Sequence, residues 1–182
     1  MKIAKFVLPV IAAGFVTSSA SAALTFENVV TTDGNLVINT ISVVSDADVT
    51  AVGAVAQVSP AGTLNQLPLF PGADPNDASF WGQDAGGTGL DSYLTIGGVA
   101  ASTYASGGAA LGGGDIKLFD FDEIDVTWAN DTSNDIGTVL VARFVFADTA
   151  NGTFAMQATN AASEDAFRSD LAAVVAGEIV VP

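Results

Sequence analysis

The 182-residue sequence predicts an all-β fold, a mainly antiparallel β-sandwich or jelly roll with one short helix near the C-terminus. Three observations carry this expectation. Short runs of alternating or β-branched residues recur between clusters of Gly, Asp, Asn and Pro, as strands separated by turns do. No strand alternates with a helical period, so nothing points to a parallel α/β sheet. No repeat of roughly 20–50 residues is present, which argues against a solenoid or a propeller. A hydrophobic content of 49% separates the chain from acidic disordered sequences.

Leu24 to Thr31 is the first expected strand and Asn35 to Val44 the second, with Asp33-Gly34 as a hairpin signal between them. Asp46-Ala47-Asp48 breaks the pattern, and Val49 to Val58 resumes it with small and branched residues. Ser59 to Leu90 holds four prolines and six glycines. It is expected to be a long loop capping one end of the sandwich, held down by Leu64, Leu67, Leu69, Phe70, Phe80 and Trp81. Asp91 to Ile96 forms a compact strand, Ala100 to Gly114 a small-residue connection, and Ile116 to Trp128 a long strand. Gly137 to Ala147 is apolar on both faces, as a strand buried inside a sandwich is. Asn151-Gly152 then predicts a hairpin returning through Thr153 to Thr159. Ser163, followed by Glu164 and Asp165, suits a helix N-terminus, and Phe167, Leu171 and Val174 or Val175 fall at helical spacing. Gly177 would end that helix, and Glu178 to Val181 would be a closing strand.

The first 22 residues carry a different message. Lys2 and Lys5 precede an apolar run from Phe6 to Val16, and Ala20-Ser21-Ala22 supplies small residues where a signal peptidase cuts. The run is shorter than the roughly 20 residues a membrane-spanning helix needs. Residues 1–22 are therefore expected to be a signal peptide and residues 23–182 a single exported domain. At 160 residues, that domain is long enough to bury a real core. It has no cysteine, so the core must hold without disulfides. Three basic residues, Lys117, Arg143 and Arg168, face 20 acidic ones, a net charge of −17. Such a surface repels nucleic acid and anionic lipid, and it suits divalent cations.

Histidine is absent as well, which excludes Ser-His-Asp and Cys-His hydrolysis and His- or Cys-ligated zinc. Phosphate-loop and dinucleotide motifs are missing. A glycosidase needs one pair of carboxylates at a defined separation, and nothing selects a pair among 20. The expectation is a non-enzymatic protein.

Asp120, Asp122 and Asp125, with Asp131 and Asp135 downstream, form the densest oxygen-rich stretch and are the candidate ligands for calcium. Strand alternation would divide Asp120 and Asp122 from Glu123 and Asp125, so a bulge or the following loop must help. The same residues also read as a solvated edge that discourages strand-on-strand aggregation. Trp81, in the Gly/Pro loop, and Tyr93 are the candidates for stacking on a sugar ring, whereas Trp128 falls on the apolar face with Ile124 and Val126. Asn130-Asp131-Thr132 and Asn151-Gly152-Thr153 fit the glycosylation pattern, which carries little weight behind a bacterial-looking leader.

The leader Met1–Ala22, the segment Asp91-Ser-Tyr-Leu-Thr-Ile-Gly97 and the stretch from Gly137 to Phe154 together resemble secreted bacterial β-sandwich proteins of the PEP-CTERM type. The resemblance implies a secreted surface or matrix protein and carries no site residues. Those proteins continue into a sorting motif, an apolar helix and a basic tail, and these do not follow Glu178-Ile-Val-Val-Pro182. Anchoring is therefore not carried over, and release or assembly is expected in place of a stable membrane anchor. The functional expectation is a structural surface or extracellular-matrix protein able to form a homo-oligomer, with Ile179 to Val181 as a strand for pairing between subunits. The alternative is a carbohydrate-binding module that takes a surface glycan.

Overall fold

The computed structural model describes residues 24–68, 71, 74, 81–84, 87–98, 103–107, 118–130, 135–162, 167–168 and 172–180. The leader, Asp131 and the expected helix start at Ser163–Asp165 lie outside them.

The described chain forms twelve strands: β1 (Leu24–Asp33), β2 (Leu36–Ser45), β3 (Val49–Ser59), β4 (Tyr93–Leu94), β5 (Thr103–Gly107), β6 (Leu118–Phe119), β7 (Glu123–Asn130), β8 (Gly137–Ala147), β9 (Asn151–Asn160), β10 (Phe167–Arg168), β11 (Ala172–Val175) and β12 (Glu178–Val180). One sheet has the order β1-β2-β8-β4 and the other β12-β11-β9-β3-β7-β5, with β10 beside β9 and β6 beside β7. Every pairing is antiparallel. This is the expected all-β class, with two antiparallel sheets packed as a β-sandwich.

Alternation explains which way each strand faces. Val37, Ile41 and Val43 of β2 turn inward against Val52, Ala54, Ala56 and Val58 of β3, Ile124, Val126 and Trp128 of β7, and Phe144 and Phe146 of β8. An edge-to-face chain of rings, Trp81–Phe119–Phe144–Phe154, crosses this core with centroids 5.6, 6.2 and 5.4 Å apart.

A bulge in β8 ties the sheets together. Between Ile41 and Ser42 the register skips from Ala142 to Leu140, which leaves Val141 extra. The freed Val141 carbonyl accepts a hydrogen bond from the Thr95 amide at 2.9 Å. It also accepts one from the Trp128 indole nitrogen of the opposite sheet at 3.1 Å, and the same indole donates to the Thr95 carbonyl at 2.8 Å. The largest buried side chain thus has its polar atom satisfied across the core.

Several expectations are corrected. The segment expected as one long strand folds back on itself: the Asp120 amide donates to the Glu123 carbonyl at 2.9 Å, and β6 pairs with β7 around residues 120–122. Thr103–Gly107, expected to be a connection, is a strand on β7. Asn151-Gly152 is not a turn. The chain turns at Asp148–Ala150, where the Ala150 amide donates to the Ala147 carbonyl, and β8 and β9 lie in different sheets. Gly152 is needed for another reason: a Cβ there would overlap the carbonyl oxygen of Gln57 on β3.

The expected helix is not found among the described residues either. Phe167–Arg168 and Ala172–Val175 are strands, and Val174 is buried by strand alternation. Gly177 closes a two-residue β11–β12 hairpin with Ala176, at φ of 82° and 49°, the backbone of a type I′ turn.

The long loop does more than cap an end. The Asn65 amide donates to the Val145 carbonyl at 2.7 Å and the Ala147 amide to the Thr63 carbonyl at 2.8 Å. Residues 63–65 therefore extend the first sheet beside β8, in line with β4. No helix among the described residues is long and apolar enough to cross a membrane.

Candidate functional site

The candidate calcium ligands are held by separate parts of the sandwich. Asp120 and Asp122 sit in the β6–β7 turn. There the Phe121 amide donates to Asp120 Oδ1 at 2.7 Å, and the Val58 amide, near the end of β3, donates to the Asp122 carbonyl at 2.9 Å. Asp135 is held at the other end of β3, where the Val49 amide donates to its carbonyl at 3.0 Å and its own amide donates to Asp48 Oδ1 at 2.7 Å. Val49 and Val58 are nine residues apart in a strand, which places the two groups about 30 Å from one another. Asp125 is partly buried on the outer face of β7, opposite Val55 on one side and Leu118 on the other, and its Oδ1 is buried without a partner. Asp120, Asp122, Asp125 and Asp135 therefore do not converge as a set on one ion. Among the described residues no three acidic side chains meet in a way that could hold a metal.

The aromatic candidates are inside. Trp81 is 6% exposed and Tyr93 is 1% exposed, so neither offers a ring face to a sugar. The expectation of a surface Trp81 fails because the loop folds onto the sheet: the Leu94 amide donates to the Trp81 carbonyl at 2.6 Å, and the indole packs edge-on against Phe119.

Tyr93 belongs to a polar cluster that the sequence did not reveal. In the β4–β8 register it lies opposite Arg143, whose guanidinium sits 5.1 Å from the Tyr93 ring centroid and 3.7 Å from Asp84 Oδ2. Burial pushes the Tyr93 phenol above its ordinary value; the Arg143 charge pulls it back and the Asp84 charge adds to the rise. Asn65 Nδ2 donates to the Leu90 carbonyl at 2.5 Å, and Asp91 Oδ1 accepts from the Leu67 amide at 2.8 Å. Arg143, one of three cations expected in the exported chain, thus pins the acidic loop to the outer face of the sheet.

A second cluster closes the opposite seam. Asn39 is fully buried on β2, on the inner face beside Asn28 of β1. Asn39 Nδ2 donates to the Gly177 carbonyl at 2.9 Å, and its Oδ1 accepts from the Ile179 amide at 2.8 Å. Asn28 Nδ2 donates to the Ile179 carbonyl at 2.9 Å and to Asn39 Oδ1 at 3.0 Å. The Gly177 amide donates to Ala150. Two side-chain amides thus take the place of a neighbouring strand along β12. The edge expected to pair with another subunit is used within the chain at Gly177 and Ile179. An amide inside an otherwise regular apolar alternation, Val37-x-Asn39-x-Ile41-x-Val43, is the sequence signal for this clamp.

No protein family, curated protein or solved structure matches this chain. Geometry and chemistry alone bear on what it does. Asn39 and Trp128 Nε1 spend their hydrogen bonds on the fold, whereas Gln66 Oε1, Trp81 Nε1 and Asp125 Oδ1 are buried without a partner among the described residues.

Proposed function

We propose that this protein is an exported, non-enzymatic β-sandwich serving as a structural component of the cell surface or extracellular matrix, with capacity to self-associate. The observation that carries the reading is how the polar groups are used. Arg143, Asp84, Asn28, Asn39 and Trp128 Nε1 are turned to pinning a loop, sealing a seam and bridging two sheets. Without cysteine, the domain must hold by this packing and hydrogen bonding, with no disulfide to staple it outside the cell. The acidic outer faces favour solubility and hold neighbouring molecules apart, except where directional pairing draws them together. The apolar leader and the resemblance to secreted sandwich proteins support export.

The experiment is fractionation of the producing organism with a tagged chain. Recovery of a processed protein lacking residues 1–22 in the surface or matrix fraction is expected. Recovery of the full-length chain in the cytoplasm refutes the reading, and so does saturable turnover of a polysaccharide by the purified protein.

A further inference from the structure

We infer that Asn151 is a spontaneous deamidation site, and that the docked C-terminal hairpin β11–β12 is the gate on its reaction. The inference stands apart from the structural-component reading and does not require export.

Asn151-Gly152 is the only Asn-Gly pair in the chain. In such a pair the glycine nitrogen can attack the side-chain amide carbon of the asparagine, because no Cβ on the glycine hinders the approach. The bond from Gly152 N to Asn151 Cγ forms, and the bond from Cγ to Nδ2 breaks. Nδ2 leaves as ammonia with the proton of the Gly152 amide, and a cyclic imide remains. Water then opens the ring, at Cγ to give aspartate or at the Asn151 main-chain carbonyl carbon to give isoaspartate.

The folded chain holds both reacting groups with one element. Asn151 is exposed to water. Its Nδ2 donates to the Thr149 carbonyl at 2.9 Å, and its Oδ1 accepts at 3.2 Å from the amide of Ala176, the first residue of the β11–β12 turn. Alternation places the nucleophile. The Val58 amide points at Asp122, so the Val58–Gly152 pair exchanges no hydrogen bonds and the Gly152 amide turns toward Val174 of β11. On the other side of Val174, the main-chain groups of Ile179 turn away to Asn28 and Asn39, which leaves those of Val174 facing Gly152. Thus β11 holds the nucleophile, and the turn after it holds the side-chain carbonyl that is attacked.

Opening the hairpin frees both groups at once. Along its outer edge β12 has two side-chain amides in place of a strand, so fewer main-chain bonds keep it closed than a central strand has. The product does not fit back as the reactant did. A carboxylate only accepts hydrogen bonds, so aspartate at this position offers no donor to the Thr149 carbonyl. Isoaspartate lengthens the main chain by one carbon at the start of β9, opposite Ser59. Each reaction therefore leaves the hairpin easier to open.

The test is incubation of the purified protein at mildly alkaline pH. Mass spectrometry follows the peptide carrying Asn151, enzymatic methylation detects isoaspartate, and amide exchange at Val174 reports opening of the hairpin. The reaction is expected to be about 10-fold or more slower in the folded protein than in urea. Asn39→Leu removes the partners of Gly177 and Ile179 and is expected to speed the reaction about 10-fold or more, with faster exchange at Val174. Asn151→Asp copies one product and is expected to raise exchange at Val174 above that of the parent.

A folded parent that reacts as fast as the urea-unfolded chain overturns the inference, and so does a chain that fails to react even in urea. Across the parent, Asn39→Leu and the milder Asn28→Ala, the rate at Asn151 should follow exchange at Val174; a rate that does not follow it overturns the gate. Asn28→Ala decides the matter if Asn39→Leu does not fold. An Asn151→Asp protein with the parent's exchange at Val174 overturns the weakened reclosure. Recovery of the full-length chain in the cytoplasm refutes the structural reading and leaves this inference standing.

Discussion

Replacing Asn39 tests the seam most directly. Its amide is fully buried and serves two main-chain groups of the C-terminal hairpin, the Gly177 carbonyl at 2.9 Å and the Ile179 amide at 2.8 Å. Its contact to the Phe144 carbonyl is longer, 3.3 Å, and Phe144 remains in the β2–β8 ladder without it. Asn39→Leu keeps the volume of the side chain, so a loss of stability reports orphaned polar groups and not a cavity. Each buried group left without a partner costs about 1–3 kcal/mol, which gives about 2–6 kcal/mol for the pair. At about 2–4 °C per kcal/mol for a domain of this size, Tm should fall by roughly 5–20 °C. Urea and thermal unfolding followed by circular dichroism measure the loss, and amide exchange at Ile179 locates it. Asn28→Ala removes the partner of the Ile179 carbonyl and one of the two donors to Asn39 Oδ1, which keeps the Ile179 amide, and should cost about 1–3 kcal/mol. The double variant should depart from additivity by at least about 0.5 kcal/mol, since the two amides bond one another. Ser42→Ala, half-buried on the outward row of β2, is the control and should stay within about 0.5 kcal/mol. An Asn39→Leu protein as stable as the parent, with Ile179 equally protected, refutes the reasoning.

Three further outcomes are expected. Gly152→Ala forces a methyl group into the Gln57 carbonyl, an atom of the β3 backbone that has no rotamer to give, and should cost about 1–3 kcal/mol or more in urea unfolding; an unchanged midpoint contradicts the close approach of β9 and β3. Trp81→Ala should cost about 3–5 kcal/mol, the loss for a buried aromatic, against about 0.5 kcal/mol or less for a surface ring, and the indole should resist acrylamide quenching in the parent protein. Burial raises the Tyr93 phenol above 10.0, so near that pH the unfolded chain loses its proton first. The stability this contributes is complete below pH 10 and lost as pH rises through the folded-state value, so Tyr93→Phe should flatten the alkaline arm of the stability curve; an identical alkaline arm in both proteins contradicts the shift.

The regular strands were legible in the sequence because they bury one face, or in β8 both, in continuous β-branched and apolar runs. β2 alternates throughout, β3 does so toward its C-terminal end and β8 is apolar on both faces, and all three fall within one residue of their expected limits. What failed were signals with two physical causes. Asn-Gly marks a tight turn or a glycine under a neighbouring strand, and here the crowding by Gln57 decides. Phe167, Leu171 and Val174 fit a helical face, but in Ala172–Val175 alternate residues are buried and the period is two. The direction of a loop side chain depends on where the loop lands, so nothing local to Trp81 could place it in the core. The acidic stretch from Asp120 to Asp135 is close in sequence, yet its parts lie at opposite ends of one strand because β7 runs the length of the sandwich between them.

The amide clamp also sets an order of events. Its bonds join residues 138, 140 and 151 positions apart, so they cannot form until almost the whole chain is free to fold. Contacts this remote in sequence slow folding, since the loop must close before any of its bonds is gained. A chain that emerges N-terminus first therefore has its first hairpin waiting for its last. Under the proposed export, such lateness would be useful: the sandwich can lock only after its final strand has come through.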